Sequence, residues 1–299
     1  MQNISGKFLK ELYTKGENIS AYLKGHLKEN ANSEKIIELS YDLQSGSYIQ
    51  QTRQDSGFLV AYAECLQTFL KNLKHPQTMM EAGVGEATTL SHILESFGTE
   101  APRFYGFDLC WSRILTAKKW LVEKNHSAQV ELTTGSLFSI PFQDNSIDIV
   151  YTSHSIEPNG GKEEPILKEL YRVARDYVVL LEPGYEFATK EGKARMGKHG
   201  YCRDLAEKAK NLGYKVIHHN KFPVVANPLN PTAMTIIEKL TKEPLPINDV
   251  LACPIHRTPL IKLKDCYYSP EALMAYPILG SIPCLRPDLA IVASKMLED

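Results

Sequence analysis

The sequence predicts an α/β protein: a doubly wound parallel sheet preceded by a helical segment and followed by a small α+β attachment. Three observations predict it. Short apolar runs alternate with amphipathic ones from Thr78 to Leu181, the pattern of strand, crossover helix and next strand that buries a parallel sheet between helices. Gly83 and Gly85 follow the first of these runs, where a strand turns into a helix. Composition shifts near His75 and again near Pro244, which divides the chain into a helical N-terminal cap at 1–75, the α/β domain at 76–243 and an attachment at 244–299.

The whole chain sets bounds on function. Its 299 residues, 43% of them hydrophobic, suffice for one substantial core with attachments. Basic and acidic residues balance at 34 and 35, so no global field draws the protein to nucleic acid or an anionic membrane. No apolar run reaches the roughly 20 residues of a membrane span, and the N-terminus lacks a signal-peptide core. A cytoplasmic, soluble protein is expected. Six scattered cysteines do not form a disulfide framework in such a chain.

Each segment has its own signature. In the N-terminal part, Phe58, Ala61, Tyr62, Cys65 and Phe69 recur on one helical face, and Glu34 to Leu39 is helical in pattern. The polar stretch Ser40 to Tyr48 between them reads as an interhelical segment. Strands are expected at Thr78 to Ala82, Phe104 to Phe107, Val130 to Thr133, Ile147 to Tyr151 and Tyr177 to Leu181. Two further strands, from Lys215 and from Ala233, have no helix between them, so they should form an antiparallel hairpin.

The glycine turn alone fits any nucleotide-binding α/β protein. Asp108 strengthens it, because a carboxylate at the tip of the next strand can accept both hydroxyls of a ribose. A nicotinamide dehydrogenase would share these features. Glu81, two residues before Gly83, suits the ammonium of an amino-acid moiety, which a dinucleotide lacks. Thr88 stands where the dinucleotide fingerprint closes on Gly or Ala.

The segment Gly135-Ser-Leu-Phe-Ser-Ile-Pro-Phe-Gln-Asp-Asn-Ser-Ile-Asp-Ile-Val-Tyr151 resembles the L-P-F-x-D-x-x-F-D-x-V stretch of the class I S-adenosylmethionine (SAM)-dependent methyltransferases. The resemblance covers roughly residues 75 to 240. It implies a Rossmann-like seven-stranded sheet, SAM as cofactor, and cofactor contacts at Glu81, Gly83, Gly85, Asp108, Leu109, Ser136, Leu137 and Ser153. Ser136 departs from the family, many of whose members carry an acidic residue there, near the adenine amino group. The upstream Tyr41 to Tyr48 stretch is similar to a Tyr/Asp segment that covers the methionine end of SAM in many members, which implies contacts at Tyr41 and Tyr48; an ordinary turn would read the same way.

Methyl transfer from a sulfonium is an in-line displacement, so alignment and exclusion of water are the main requirements. The acceptor is expected over the carboxyl ends of the strands, beside the loop Thr152-Ser-His-Ser-Ile-Glu-Pro-Asn-Gly-Gly161. His154 is the candidate base, Glu157 its catalytic partner, and Asn159 a substrate contact. The stretch from Lys190 to Lys215 carries eight basic and three acidic residues, net +5. It reads either as a lid for an anionic acceptor, with Arg195 and His199 as contacts, or as a solvated helix face. The expected substrate is a small metabolite with a hydroxyl or amine, sugar-like or phosphorylated; the alternative is tRNA or protein.

Leu251-Ala-Cys-Pro-Ile-His and Tyr276-Pro-Ile-Leu-Gly-Ser-Ile-Pro-Cys-Leu285 resemble the small Trm112-like domain, with its C-P-x-C knuckle and Y-P-x-x-D-G-I-P-x-L ending. Cys253, His256, Cys266 and Cys284 would number enough donors for a structural zinc. His256 replaces the second knuckle cysteine and Cys284 holds an apolar position, so a metal-free fold is expected. The resemblance implies either a built-in activator of methylation or, since the domain is already fused, a structural or homodimer-forming role.

Overall fold

The computed structural model describes residues 4–239 and 249–298. Five helices come first: α1 (Gly6–Thr14), α2 (Ile19–Leu27), α3 (Glu34–Leu43), α4 (Ser47–Gln54) and α5 (Gly57–Leu70). The turn expected through Ser40 to Tyr48 is confined to residues 44–46, because α3 runs on to Leu43 and α4 begins at Ser47. Gly46, at φ +100°, permits so sharp a reversal. Leu9, Ile19, Leu23 and Ile36 give the first helices a small apolar cluster of their own.

The central sheet contains β1 (Thr78–Ala82), β2 (Arg103–Asp108), β3 (Val130–Thr134), β4 (Ile147–Ser153), β5 (Ala174–Pro183), β6 (Lys215–Lys221) and β7 (Thr232–Glu238). Its order is β3-β2-β1-β4-β5-β7-β6. β1 to β5 are parallel, and β7 runs antiparallel to both β5 and β6. The helices α6 (Thr88–Phe97), α7 (Trp111–Glu123), α8 (Glu163–Val173), α9 (Lys190–His199) and α10 (Leu205–Asn211) connect them. Alternation along each strand divides the core: Met80, Phe107, Val150 and Val178 join the cluster that includes α8 and α10, whereas Met79, Phe104, Ile149 and Val179 join that of α5, α6 and α7. This is the Rossmann-like doubly wound sheet of seven strands, and its switch point lies between β1 and β4, where ligands collect in such folds.

The C-terminal part builds a second sheet from β8 (Ile261–Lys262), β9 (Cys266–Ser269), β10 (Met274–Leu279), β11 (Ile282–Pro283) and β12 (Ile291–Val292). It covers the otherwise open edge at β3. Thr134 forms a parallel bridge with Cys284, Phe142 an antiparallel one with Leu251, and Thr133 Oγ1 donates to the Pro283 carbonyl at 2.7 Å. Leu251, Tyr276 and Leu285 belong to the same apolar cluster as Met80 and Phe107. The expected boundary at 243/244 falls outside the described residues.

Candidate active site

The strand tips of β1, β2 and β4 form the floor of a cavity of about 680 Å³. β1 ends in the turn whose Gly83 and Gly85 have φ of +81° and +54°, the left-handed region that glycine reaches at least cost. The amides of Gly83 and Val84 both donate to the Phe107 carbonyl at 2.9 Å, which clips the loop over β2. Asp108 accepts from Gly85 N through Oδ2 and from Cys110 N through Oδ1, each at 2.9 Å. Its carboxylate is therefore fixed, and the second lone pairs of its oxygens remain for a ligand. Glu81 is buried beneath the loop, where Tyr151 OH donates to it at 3.1 Å; burial pushes its carboxyl up to about 8 against that hydrogen bond.

The helical cap forms the roof. Glu86, in the glycine loop, accepts from Gly46 N at 3.0 Å and Ile49 N at 2.9 Å, so it holds the start of α4. Tyr62 OH and Ser153 Oγ share a hydrogen bond of 3.0 Å. Tyr41 and Tyr48 face Arg113, whose guanidinium carbon lies 5.4 and 4.9 Å from their ring centres. Arg113 lines the cavity, and its buried Nε has no hydrogen-bond partner. Burial works against this cation, but Asp108 and the other charges around it leave its pKa raised.

The loop after β4 makes the opposite wall. His154 (φ +55°) sits between Glu157, with Nδ1 to Oε2 at 2.5 Å, and Thr232, with Nε2 to Oγ1 at 2.8 Å. Burial pushes the imidazole down, but the hydrogen bond and charge of Glu157 outweigh it, and the pKa ends raised. For Glu157, burial is likewise outweighed by His154, Tyr201 and Asn230, and its pKa is lowered. Beneath them Glu182 accepts the amides of Ser155, Ile156 and Glu157 at 3.0, 3.1 and 3.0 Å. Burial raises Glu182 to about 7 against the His154 charge and these donors. The loop is thereby locked from below, with His154 turned toward the cavity.

Most of the residues expected from sequence meet here. Tyr41, Tyr48, Glu81, Gly83 and Asp108 line the cavity, as do Leu109, Leu137, Ser153, His154, Glu157 and Asn159. Gly85 and Ser136 stand behind the lining; Gly85 faces Arg113, and Ser136 Oγ donates to Glu34 at 2.5 Å. Arg195 and His199, on α9, do not line it, because both pack on Tyr201. Glu34, Glu86, Arg113 and Thr232 were not expected. Glu86 could have been found from its place inside the glycine loop; Thr232 carries no local signal, since β7 brings it in from 78 residues away. Cys253 lies 3.4 Å from Tyr276 OH, and no set of three His, Cys, Asp or Glu side chains is placed to hold a metal among the described residues.

Sheet order, glycine loop and the carboxylate at the β2 tip are those of the Rossmann-like methyltransferase fold. Residues 80–181 match the family model described as methyltransferase domain, whose cofactor is SAM. Two solved structures share the fold. Magnesium protoporphyrin IX methyltransferase from Synechocystis PCC 6803, crystallised with S-adenosylhomocysteine, is 12% identical with a TM-score of 0.52 over 69% of this chain and 100% of its own. A putative O-methyltransferase from Nostoc punctiforme PCC 73102 is also 12% identical, with a TM-score of 0.52 over 67% of this chain and 60% of its own.

Proposed function

We propose that this protein is a SAM-dependent methyltransferase that alkylates a hydroxyl or amine of a small metabolite. The observation that carries the reading is the convergence of Asp108, Glu81 and Arg113, whose Nε has no hydrogen-bond partner, on one cavity at the switch point of the sheet. SAM presents a ribose diol, an ammonium and a carboxylate, and these three side chains have the complementary chemistry. Asp108 would hold the diol, Glu81 the amino-acid end from below, and Arg113 the carboxylate. When bound, the cofactor supplies an electrophilic methyl group.

The chain's own residues do the rest. The cap excludes water and the β4 loop orients the acceptor. With His154 neutral and Nδ1–H donated to Glu157, Nε2 is a base beside the Thr232 hydroxyl, which also lines the cavity. The proton of a hydroxyl or ammonium acceptor would pass to Nε2 directly or through Thr232. Enclosure under α3, α4 and α5 favours a small acceptor over tRNA or a protein. The lining carries the carboxylates of Glu34, Asp55, Glu81, Glu86, Asp108 and Glu157 against Arg113 and His154. That balance favours a neutral or amine-bearing acceptor, and the phosphorylated one loses its support with Arg195 and His199 outside. We take the C-terminal part as a Trm112-like module with a structural role at the β3 edge.

Calorimetry with S-adenosylhomocysteine tests the reading. Wild-type protein should bind it, and Asp108→Ala should weaken binding roughly 100-fold or more, the equivalent of two charge-assisted hydrogen bonds. No heat with the wild type, or unchanged affinity in the variant, overturns it. Labelled SAM offered with a metabolite extract would then identify the acceptor, and full turnover by His154→Ala would remove His154 as the base.

A further inference from the structure

We infer that Glu34, the first residue of cap helix α3, reads the amino group of the cofactor's adenine, and that the C-terminal part holds it in place for that task. The inference rests on the SAM reading above. A base carried by a ribose on Asp108 finds apolar lining beside the tips of β2 and β3. The Asp108 carbonyl accepts from Gly135 N at 2.9 Å, so the tips of β2 and β3 are adjacent, and the lining next to them is Leu109, Leu137, Phe138 and Ile37. These apolar side chains suit a flat base, and Glu34 is the ionisable side chain of the lining that reaches Ser136 beside them.

The hydrogen-bonding role of Glu34 follows from its neighbours. Ser136 Oγ accepts the Phe138 amide at 3.0 Å and donates its own proton to Glu34 Oε1. Glu34 is thereby held as an acceptor, and among the described residues Oε2 has no hydrogen-bond partner. A base at this point must bring an N–H. Adenine has one in its exocyclic amino group, whereas a 6-keto base would set an oxygen against the carboxylate. Recognition of the base thus comes from a helix of the cap, outside the α/β core.

A carboxylate on a cap helix discriminates only if the helix is fixed. Glu38 lies one turn after Glu34 on α3, and Arg286 of the C-terminal part donates to its Oε1 at 2.7 Å and its Oε2 at 3.4 Å. The same guanidinium donates to the Leu109 carbonyl at 2.8 Å and is oriented by Asp288 at 3.0 and 2.6 Å. Arg286 is 5% exposed. It ties together α3, the residue after Asp108 and the C-terminal part, which makes it a positioning residue for Glu34.

Calorimetric titration of the full chain with S-adenosylhomocysteine and with its 6-keto analogue, S-inosylhomocysteine, tests this. Wild type should prefer the adenine compound by about 10- to 100-fold, the range of a hydrogen bond to a charged group. In Glu34→Gln the amide can still accept from Ser136 and can donate to the keto oxygen, so the preference should fall to within about 3-fold. Glu34→Ala should lose the preference by weakening the adenine compound alone. Arg286→Met should lower the same ratio with Glu34 present. Thermal melts establish that the isosteric Gln variant is folded. A preference above about 10-fold in Glu34→Gln overturns the inference while leaving the methyltransferase reading intact; no binding of either compound to wild type overturns both.

Discussion

The two glycines of the β1 loop have unequal reasons to be glycine, and alanine substitutions should separate them. At Gly83, φ is +81° and an added Cβ would lie 2.3 Å from Ser155 Cβ and 2.9 Å from its Oγ. Ser155 cannot move aside freely, since its hydroxyl donates to the Ala82 carbonyl at 2.6 Å and its amide to Glu182 at 3.0 Å. The left-handed backbone costs an L-residue about 1–2 kcal/mol and overpacking about 1–3 kcal/mol more, so Gly83→Ala should lose roughly 2–5 kcal/mol. At Gly85 the φ of +54° is within reach of an alanine, and the clash at 2.6 Å is with Arg113 Nη2, the end of a flexible side chain. Gly85→Ala should lose only about 1 kcal/mol. For a protein of this size each kcal/mol lowers Tm by about 2–4 °C. Thermal denaturation should therefore show a fall of roughly 5–15 °C for Gly83→Ala and at most about 4 °C for Gly85→Ala. Calorimetry should show S-adenosylhomocysteine binding weakened in the Gly85 variant as well, because the methyl displaces Arg113. A Gly83 variant melting within about 2 °C of wild type, or the reverse ranking, would refute the reasoning.

The His154 pair should show itself in pH dependence. A raised His pKa contributes stability that is complete below its unfolded value, about 6.5, and is lost as pH rises through the folded pKa. Denaturant melts of Glu157→Gln should thus differ from wild type most near pH 6 and less near pH 9; a gap that grows with pH contradicts the ion pair. If His154 is the base, the same variant should move the acid limb of the pH–rate profile to lower pH. Glu86→Gln removes a carboxylate shared by two amides at the start of α4, so the amides of Gly46 and Ile49 should exchange at least about 10-fold faster at little cost to global stability. Unchanged protection there would assign Glu86 no role in holding the cap. Glu169 is contacted by both Arg172 and Arg257, but the two should not be equivalent. Arg172 is nearly buried and also donates to the Phe142 and Ile140 carbonyls, so Arg172→Met should cost about 3–5 kcal/mol. Arg257 is half exposed, and Arg257→Met should cost under about 1 kcal/mol; equal losses in urea titrations would contradict this ranking.

The α/β core was legible because its signals are local. Alternation of apolar residues places β1 to β5, and the turn chemistry of Gly83 and Gly85 with the carboxylate of Asp108 follows directly from strand tips. The cap was legible only in part. α1, α2 and α4 are only 9, 9 and 8 residues long and bury few side chains each, Ile49 and Thr52 alone in α4; helices this short gain little from propensity alone and hold their shape through contacts such as Glu86 to the amides at the start of α4. Arg113 reads in sequence as one charge among several on α7, and only the fold shows that it faces the glycine loop instead of water. The basic stretch after Thr189 left two readings open, a lid and a solvated face. Its charge is real, but α9 turns Arg195 and His199 onto Tyr201 and away from the cavity.

Composition placed a boundary before the C-terminal part, and packing crosses that boundary. A parallel sheet that ended at β3 would leave an edge strand with unpaired amides and carbonyls beside Phe142 and Tyr105, both buried. Cys284 bridges the end of that edge at Thr134, and Leu251 bridges Phe142 beside it. Burying Arg286 there requires removing a guanidinium from water, a cost of several kcal/mol that one partner would not offset. Glu38, Asp288 and the Leu109 carbonyl together supply five hydrogen bonds to it. Two of these partners belong to the cap helix and to the residue after Asp108. Part of the energy that retains the C-terminal part on the core therefore also fixes α3 against the β2 tip, and loosening one should loosen the other.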